Sequence, residues 1–224
     1  LRIVEKELRE NKVNPNKIAY LAFTNQAADE ALSRAISQLN YNTKDFMNFR
    51  TLHSLAYREL HLKEENIMSD NDYNFLSNKL QIKLSNPNKN VKAYGTSFPD
   101  DVFMQVIDGA KVRGLTTENF FNDPSIGHLP GGILKLKYID EALIKYKRAR
   151  NKYDMTDMIV DFNQKHYDTM PNFDVVIIDE AQDLSWLQWK MVERIITNAK
   201  RVYVAGDDDQ AIYRWAGARP EYLM

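Results

Sequence analysis

Asp179 and Glu180 follow the β-branched run Val175-Val176-Ile177-Ile178. Two adjacent carboxylates at the end of such a run are poorly placed for packing and well placed for chemistry. In open parallel sheets, ligands gather at the carboxyl ends of the strands. One carboxylate can hold a hard cation such as Mg²⁺ through oxygen. The other can take a proton from a water. The alternative is a solvated strand-to-helix turn, with acidic residues near a helix N-terminus where the dipole favours them. A second acidic stretch, Gly206-Asp207-Asp208-Asp209-Gln210, follows the segment Arg201 to Ala205. Its carboxylates form either a cation cage or a charged turn, and Gln210 adds a neutral donor and acceptor. The order of the segments puts Asp179 and Gln210 at the tips of successive, neighbouring strands.

Three further groups of residues could carry chemistry. Phe23, Tyr213 and Trp215 are aromatic, and Arg214 lies between the last two. Aromatic faces beside basic groups suit stacking on the bases of single-stranded nucleic acid, and core packing is the competing explanation. Thr24 and Asn25, then Thr51 and His53, fall at strand-to-helix turns. There they either donate to phosphate oxygens at helix N-termini or simply cap the helices. Lys135, Lys137, Lys145, Lys147, Arg148, Arg150 and Lys152 form a basic run opposed only by Asp140 and Glu141. Such a run is a solvated helix face or, in the sharper reading, a phosphate-binding face with steep salt dependence.

These residues need a sheet to hold them. Ile18 to Phe23 is a short apolar run, read as a strand buried on both faces, as in parallel sheets. Ala28, Leu32, Ala35 and Leu39 then repeat at helical spacing. Phe46 to Arg50 is a weaker strand candidate, and Leu52 to Leu60 reads as a helix. Met155 to Phe162 also reads as a helix, Phe173 to Ile178 is the strongest strand, and Arg201 to Ala205 is another. Ser185 and Gln188 form a capping box before a helix that buries Leu187, Met191, Val192, Ile195 and Ile196. Strands alternating with helices predict an α/β fold with a parallel sheet. Residues 62–150 differ: they are rich in Asn, Lys, Asp and Ser, with a turn signal at Pro130-Gly131-Gly132. Leu134, Tyr138, Ala142 and Tyr146 form the clearest helical stripe there. The expected organisation is therefore residues 1–61 and 151–224 as the α/β domain, with 62–150 as a mostly helical insertion.

A chain of 224 residues suits one large domain or one domain with a large insertion. Lys and Arg number 30 against 31 Asp and Glu, a net charge of −1, which excludes a bulk polycation but not a local basic groove. The absence of Cys excludes a disulfide scaffold, a thiolate nucleophile and a Cys-ligated metal. The longest apolar run, Ile18 to Phe23, is far short of the ~20 residues that span a bilayer. No membrane partner is expected, and the expected location is cytoplasmic. The sequence opens on Leu1, Val4 and Leu8 sharing one helix face, with no cap before them. A start inside an element, with chain missing upstream, is the expectation.

The motifs together resemble those of superfamily 1 DNA helicases of the UvrD/Rep/PcrA kind. Phe173 to Asp183 (FDVVIIDEAQD) and Gly206 to Ala218 (GDDDQAIYRWAGA) resemble their second and third motifs. Leu21 to Ala35 (LAFTNQAADEALSRA) resembles motif Ia, and Arg50 to Ala56 (RTLHSLA) resembles motif Ib. Tyr153 to Ile159 (YDMTDMI) resembles a further family segment. The resemblance implies a RecA-like P-loop NTPase domain that uses ATP and Mg²⁺ and moves on single-stranded DNA, with 3′-to-5′ polarity and action at single/double-strand junctions. It implies that Asp179 holds Mg²⁺, that Glu180 is the general base and that Gln210 senses the γ-phosphate. It also implies that Tyr213, Trp215 and Phe23 stack on bases and that Thr24, Asn25, Thr51 and His53 lie along the DNA backbone.

Two departures from the family pattern stand beside these matches. The family's Arg after the aromatic of the third motif is replaced in Arg214-Trp215-Ala216-Gly217-Ala218. No GxxxxGK[ST] phosphate loop occurs in this sequence, and none of its 8 glycines precedes a Lys. The chain by itself is therefore expected to hydrolyse ATP poorly. A non-motor binding remnant of the same fold, the motor part of a helicase–nuclease, and a different P-loop enzyme are the rival readings. The aromatic segment after Gln210 argues against the last.

Overall fold

The computed structural model describes residues 1–86, 101–124, 126, 128–211, 213, 214 and 217–223. The chain divides into two compact units, residues 1–60 with 161–224, and residues 61–160.

The first unit is built on a parallel sheet. Its strands are β1 (Ile18–Ala22), β2 (Phe49–Thr51), β3 (Val175–Ile178) and β4 (Arg201–Val204), in the spatial order β2-β1-β3-β4. Ile18 pairs with Val175 and Leu21 with Ile178 across β1 and β3, while Ile178 pairs with Val204 across β3 and β4. All four residues of β3 are buried, as a Val/Ile run in the middle of a parallel sheet must be. Helix α2 (Asn25–Leu39) follows β1 and buries only Ala28, Ala31 and Ala35. These small side chains let the helix approach the sheet closely. Asn40 ends it in the left-handed conformation. Helix α3 (Leu52–Glu59) starts directly from β2, capped by Thr51. Helix α9 (Trp186–Ile196) carries the expected Ser185/Gln188 capping box. It buries Leu187, Met191, Val192 and Ile195, and Ile196 is half-buried.

The weaker strand candidate begins later than the sequence suggests. Asn42 and Asp45 form a capping box that folds Thr43–Phe46 into a 3₁₀ turn, so pairing starts only at Phe49. Phe46 still packs in the core, against Phe49 at 4.8 Å between ring centroids.

Helix α1 (Arg2–Arg9) is tied to this sheet by a fully buried carboxylate, Glu7. Arg201 of β4 donates to both Glu7 oxygens, and Tyr203 donates its hydroxyl to Oε1 at 2.7 Å. Burial alone would raise the Glu7 carboxyl. The Tyr203, Asn11 and Arg201 donors reverse that and hold it below its ordinary value.

The second unit is helical: α4 (Asp70–Leu80), α5 (Val102–Val112), α6 (Thr117–Phe121) and α7 (Gly132–Arg150). The start of α8 (Met155–Gln164) also falls in it. Its core gathers Tyr73, Leu76, Phe103, Ile107, Leu136 and Ile139 among others. The expected helix at Leu134 to Tyr146 is present, but it packs on a different face. Leu136, Ile139, Leu143 and Lys147 point inward, while Leu134 is 79% and Tyr138 61% exposed.

Lys147 is buried because a polar hub receives it. Asp154 caps α8, accepting from the Asp157 N–H at 2.7 Å, and the Asp157 carboxylate accepts from the Asp154 N–H at 3.2 Å. Lys147 pairs with Asp154 and, at 2.6 Å, with Asp157. Lys111 reaches Asp157 at 2.7 Å and Asp154 at 3.4 Å. Burial opposes ionisation of Asp154, but the two lysines hold it well below the usual carboxylate range. Nearby Asp108 accepts a hydrogen bond from Thr156 and is pushed up to about 6 by burial and by the charge of Asp154.

Candidate functional site

The acidic pair sits where β3 stops. The Asp179 N–H still donates to the Leu21 carbonyl at 2.9 Å, so the sheet ladder fixes its backbone. Its side chain is gripped from two sides. Tyr20 of β1 donates its hydroxyl to Oδ2, and the Glu180 N–H donates to Oδ1 at 3.2 Å. Burial first, and the facing Asp179 carboxylate second, raise the Tyr20 phenol, so it stays protonated and remains a donor.

Glu180 is exposed and held at φ 54°, ψ 41°, the left-handed region. The other described non-glycine residues with positive φ, Lys12, Asn40, His61, Gln81 and Asn151, all follow helices. Glu180 instead opens the 3₁₀ turn Ala181–Asp183. Backbone of this kind costs on the order of 1–3 kcal/mol and gathers at functional sites. The surrounding ladder holds the turn in place: the Ala181 N–H donates to the Ala205 carbonyl at 3.0 Å, and the Ala205 N–H to the Ile178 carbonyl at 2.8 Å.

The Gly206–Gln210 turn lies at the tip of β4, next to β3. Two of its bonds are internal. Gln210 donates to Asp207 Oδ2 at 2.6 Å, and the Asp209 N–H donates to Asp207 Oδ1 at 3.1 Å. The Gln182 side chain joins the two turns. It donates to Glu180 Oε2 at 2.6 Å and accepts from the Asp207 N–H at 3.1 Å. Asp183, next along, has a buried Oδ1 without a hydrogen-bond partner among the described residues. Burial, reinforced by the Glu180 charge, pushes its carboxyl up to about 6.

The aromatic group is brought together in part. Phe23, just past β1, and Tyr213 lie 5.5 Å apart between centroids, tilted by 39°, and both are half-buried. Trp215 lies outside the described residues. Thr24 and Asn25 are exposed at the start of α2, and Thr24 Oγ1 accepts from the Ala27 N–H at 3.2 Å. Buried Thr51 caps α3 in the same way, accepting from the Ser54 N–H at 3.2 Å. Both threonines therefore act as caps, and their hydroxyl protons are still available to a further acceptor. Burial pushes the His53 imidazole down to about 4. It is neutral near pH 7 and offers an N–H rather than a positive charge.

The basic run of the helical unit is largely engaged in structure. Lys147 enters the hub, Lys152 pairs with Asp72 at 3.0 Å, Lys145 with Glu141 at 3.4 Å, and Lys137 with Glu118. Arg150 lies over the rings of Tyr146 and Phe75, at 4.8 and 5.2 Å. That pattern fits a solvated, internally paired helix face better than an open phosphate track.

Among the described residues, no group of three or more His, Asp or Glu side chains is arranged to hold a metal ion. Asp179 fits Mg²⁺ in another way. This ion keeps most of its waters and takes one or two carboxylates together with substrate phosphates. Asp179 offers hard oxygens that carry one hydrogen bond each and, among the described residues, no ion pair.

Tyr20 and Gln182 escape a reading of the sequence alone, and so does the bond that the Asp207 N–H makes to Gln182. Their importance comes from bonds between neighbouring strands and turns, and only the pairing of β1, β3 and β4 creates these. The one available signal was Gln182 itself, an amide inside an otherwise acidic turn.

A parallel sheet with these two turns at the carboxyl tips of adjacent strands is an α/β domain of the RecA-like class. Comparison with known families specifies it further. The model of the UvrD/REP helicase N-terminal domain matches residues 2–224, and the chain belongs to that family. It is 25% identical to a probable DNA helicase II homolog of Mycoplasma genitalium, over 94% of this chain and 31% of that protein. A probable DNA helicase II homolog of Rickettsia felis is 27% identical over 94% of this chain and 33% of its own length. DNA helicase II of Escherichia coli K12 is 25% identical over 94% of this chain and 30% of its own length. The chain thus spans about a third of the length of the curated relatives it matches. No helix among the described residues is long and apolar enough to cross a membrane.

Proposed function

We propose that this chain forms the first motor lobe of an ATP-dependent DNA helicase, coupling ATP hydrolysis to 3′-to-5′ movement on single-stranded DNA from single/double-strand junctions. One observation carries the reading. The Asp179–Glu180 turn and the Gln210 turn occupy the tips of adjacent parallel strands and are hydrogen-bonded to each other. In this reading Glu180 is the general base that takes the proton of the attacking water. Asp179, oriented by Tyr20, would hold Mg²⁺, which would supply positive charge to the phosphate oxygens. Gln210 would meet the γ-phosphate. Phe23, Tyr213 and Trp215 would stack on bases. Thr24, Asn25, Thr51 and neutral His53 would donate to the DNA backbone. The helical unit would be an insertion within the motor lobe, and a cytoplasmic location accompanies this function.

The test is Glu180→Gln in the intact polypeptide. ATP turnover should fall by about 10²–10⁴-fold, the contribution of a positioned base, while nucleotide binding persists. Turnover at the wild-type rate would remove Glu180 as the base.

A further inference from the structure

Gln182 is 2% exposed, on a turn whose neighbours are mostly acidic. A buried amide needs partners at both ends of its head group. Gln182 finds them on two different loops. A carboxylate can only accept and a backbone N–H can only donate. The orientation of the amide is therefore forced, with Nε2 toward Glu180 and Oε1 toward the Asp207 N–H. From Asp207 the chain continues to Gln210 Nε2 at 2.6 Å and to the Asp209 N–H at 3.1 Å. Four residues, Glu180, Gln182, Asp207 and Gln210, thus form one line of hydrogen bonds from the tip of β3 to the tip of β4, which Asp207 enters through its backbone N–H and leaves through its carboxylate.

Leucine and glutamate do not serve here. Leucine would fill the same volume but bond to neither loop. Glutamate would still accept from the Asp207 N–H, but it would set a like charge against Glu180 in place of a donor. Of the three, only the amide joins a carboxylate on one side to an N–H on the other.

We propose that Gln182 is a positioning residue that aims the Glu180 carboxylate and ties its aim to the position of the Gly206–Gln210 turn. A shift of that turn moves the Asp207 N–H. The amide follows, and Glu180 Oε2 moves with it. Occupancy at the Gln210 end thereby sets the readiness of the base. The inference rests on Glu180 acting as the base.

The experiment measures ATP turnover in the intact polypeptide, with and without single-stranded DNA. Rates are normalised to nucleotide-binding sites, so that misfolded protein does not count. Gln182→Leu and Gln182→Glu should each lower the DNA-stimulated kcat by about ten- to a hundredfold, the usual consequence of a misplaced catalytic group. The KM for ATP should stay within about threefold, since ground-state binding is untouched. The ratio of turnover with DNA to turnover without it should fall. A Gln182→Leu/Gln210→Ala double variant should be no slower than the slower single variant, because both changes cut the same line. A merely structural Gln182 would lower the melting temperature, leave the DNA stimulation ratio unchanged and combine multiplicatively with Gln210→Ala. That result, or wild-type turnover in both Gln182 variants, overturns the inference; if Glu180→Gln is inactive beside it, the base assignment stands. An active Glu180→Gln overturns both.

Discussion

In the helical unit, Lys111 and Lys147 meet Asp154 and Asp157 in a closed set of ion pairs. At the tips of β3 and β4, the carboxylates of Asp179, Glu180, Asp183, Asp207 and Asp209 pair with no Lys or Arg among the described residues. The hub is the more buried of the two, with Asp154 at 2% and Lys147 at 7% exposed. Charge taken out of water must be neutralised on the spot, and the hub does this internally. Among the described residues, the β3–β4 ridge carries its negative charge on neutral donors: Tyr20, Gln182, Gln210 and backbone N–H groups. Internal neutralisation marks a structural cluster. The role proposed for the ridge requires the opposite, carboxylates left open to a cation or a proton from outside.

The largest effect that could break this comparison is on the hub. Lys147→Met leaves Asp154 buried with a weakened partner set and should cost about 3–5 kcal/mol of stability in denaturant unfolding. A loss below ~1 kcal/mol would mean the hub is no structural centre. Glu180→Gln, by contrast, removes one charge from a self-repelling ridge and should leave unfolding stability unchanged or slightly raised while removing turnover.

A smaller effect concerns the aromatic pair beside the ridge. Tyr213→Ala should weaken single-stranded DNA binding by about 1–3 kcal/mol if the ring stacks on a base. Unchanged affinity in a fluorescence titration would return the Phe23–Tyr213 contact to simple packing.

The smallest effect is a dependence on pH. Asp183 has its carboxyl raised from 3.8 to about 6 in the folded chain. Between those values the folded state binds more protons than the unfolded, so the Asp183 contribution to stability falls as pH rises. The penalty is complete above pH 6 and absent below 3.8. Asp183→Asn should therefore raise the melting temperature above pH 6 and leave it unchanged in acid. The gain should be no more than about 2–4 °C, because the carboxyl is partly solvated. A gain equal at all pH values would show that charge is not its cause.

What the sequence disclosed follows from the range of the interactions. β1, β3 and α9 were legible because burial imposes a pattern on consecutive residues, and β3 reads Val-Val-Ile-Ile with every residue buried. The start of β2 was not, since the Asn42–Asp45 capping box competes locally for Phe46. The packed face of α7 was misleading for a different reason. Its buried stripe ends in Lys147, a residue that looks solvent-facing until its partners, Asp154 and Asp157, are brought to it. In the site, Asp179, Glu180 and Gln210 announced themselves by type and position. The bonds that tie them together, from Tyr20 to Asp179 and from the Asp207 N–H to Gln182, cross between strand ends, and only folding reveals them.

The left-handed backbone of Glu180 has a consequence for how this turn can change over time. Glycine takes up that geometry without steric cost. A residue with a Cβ gives up about 1–2 kcal/mol to adopt it. Every variant with glycine at this position would thus gain robustness and lose the carboxylate in the same step. At residue 180, relief of the backbone strain and retention of the acid therefore exclude each other.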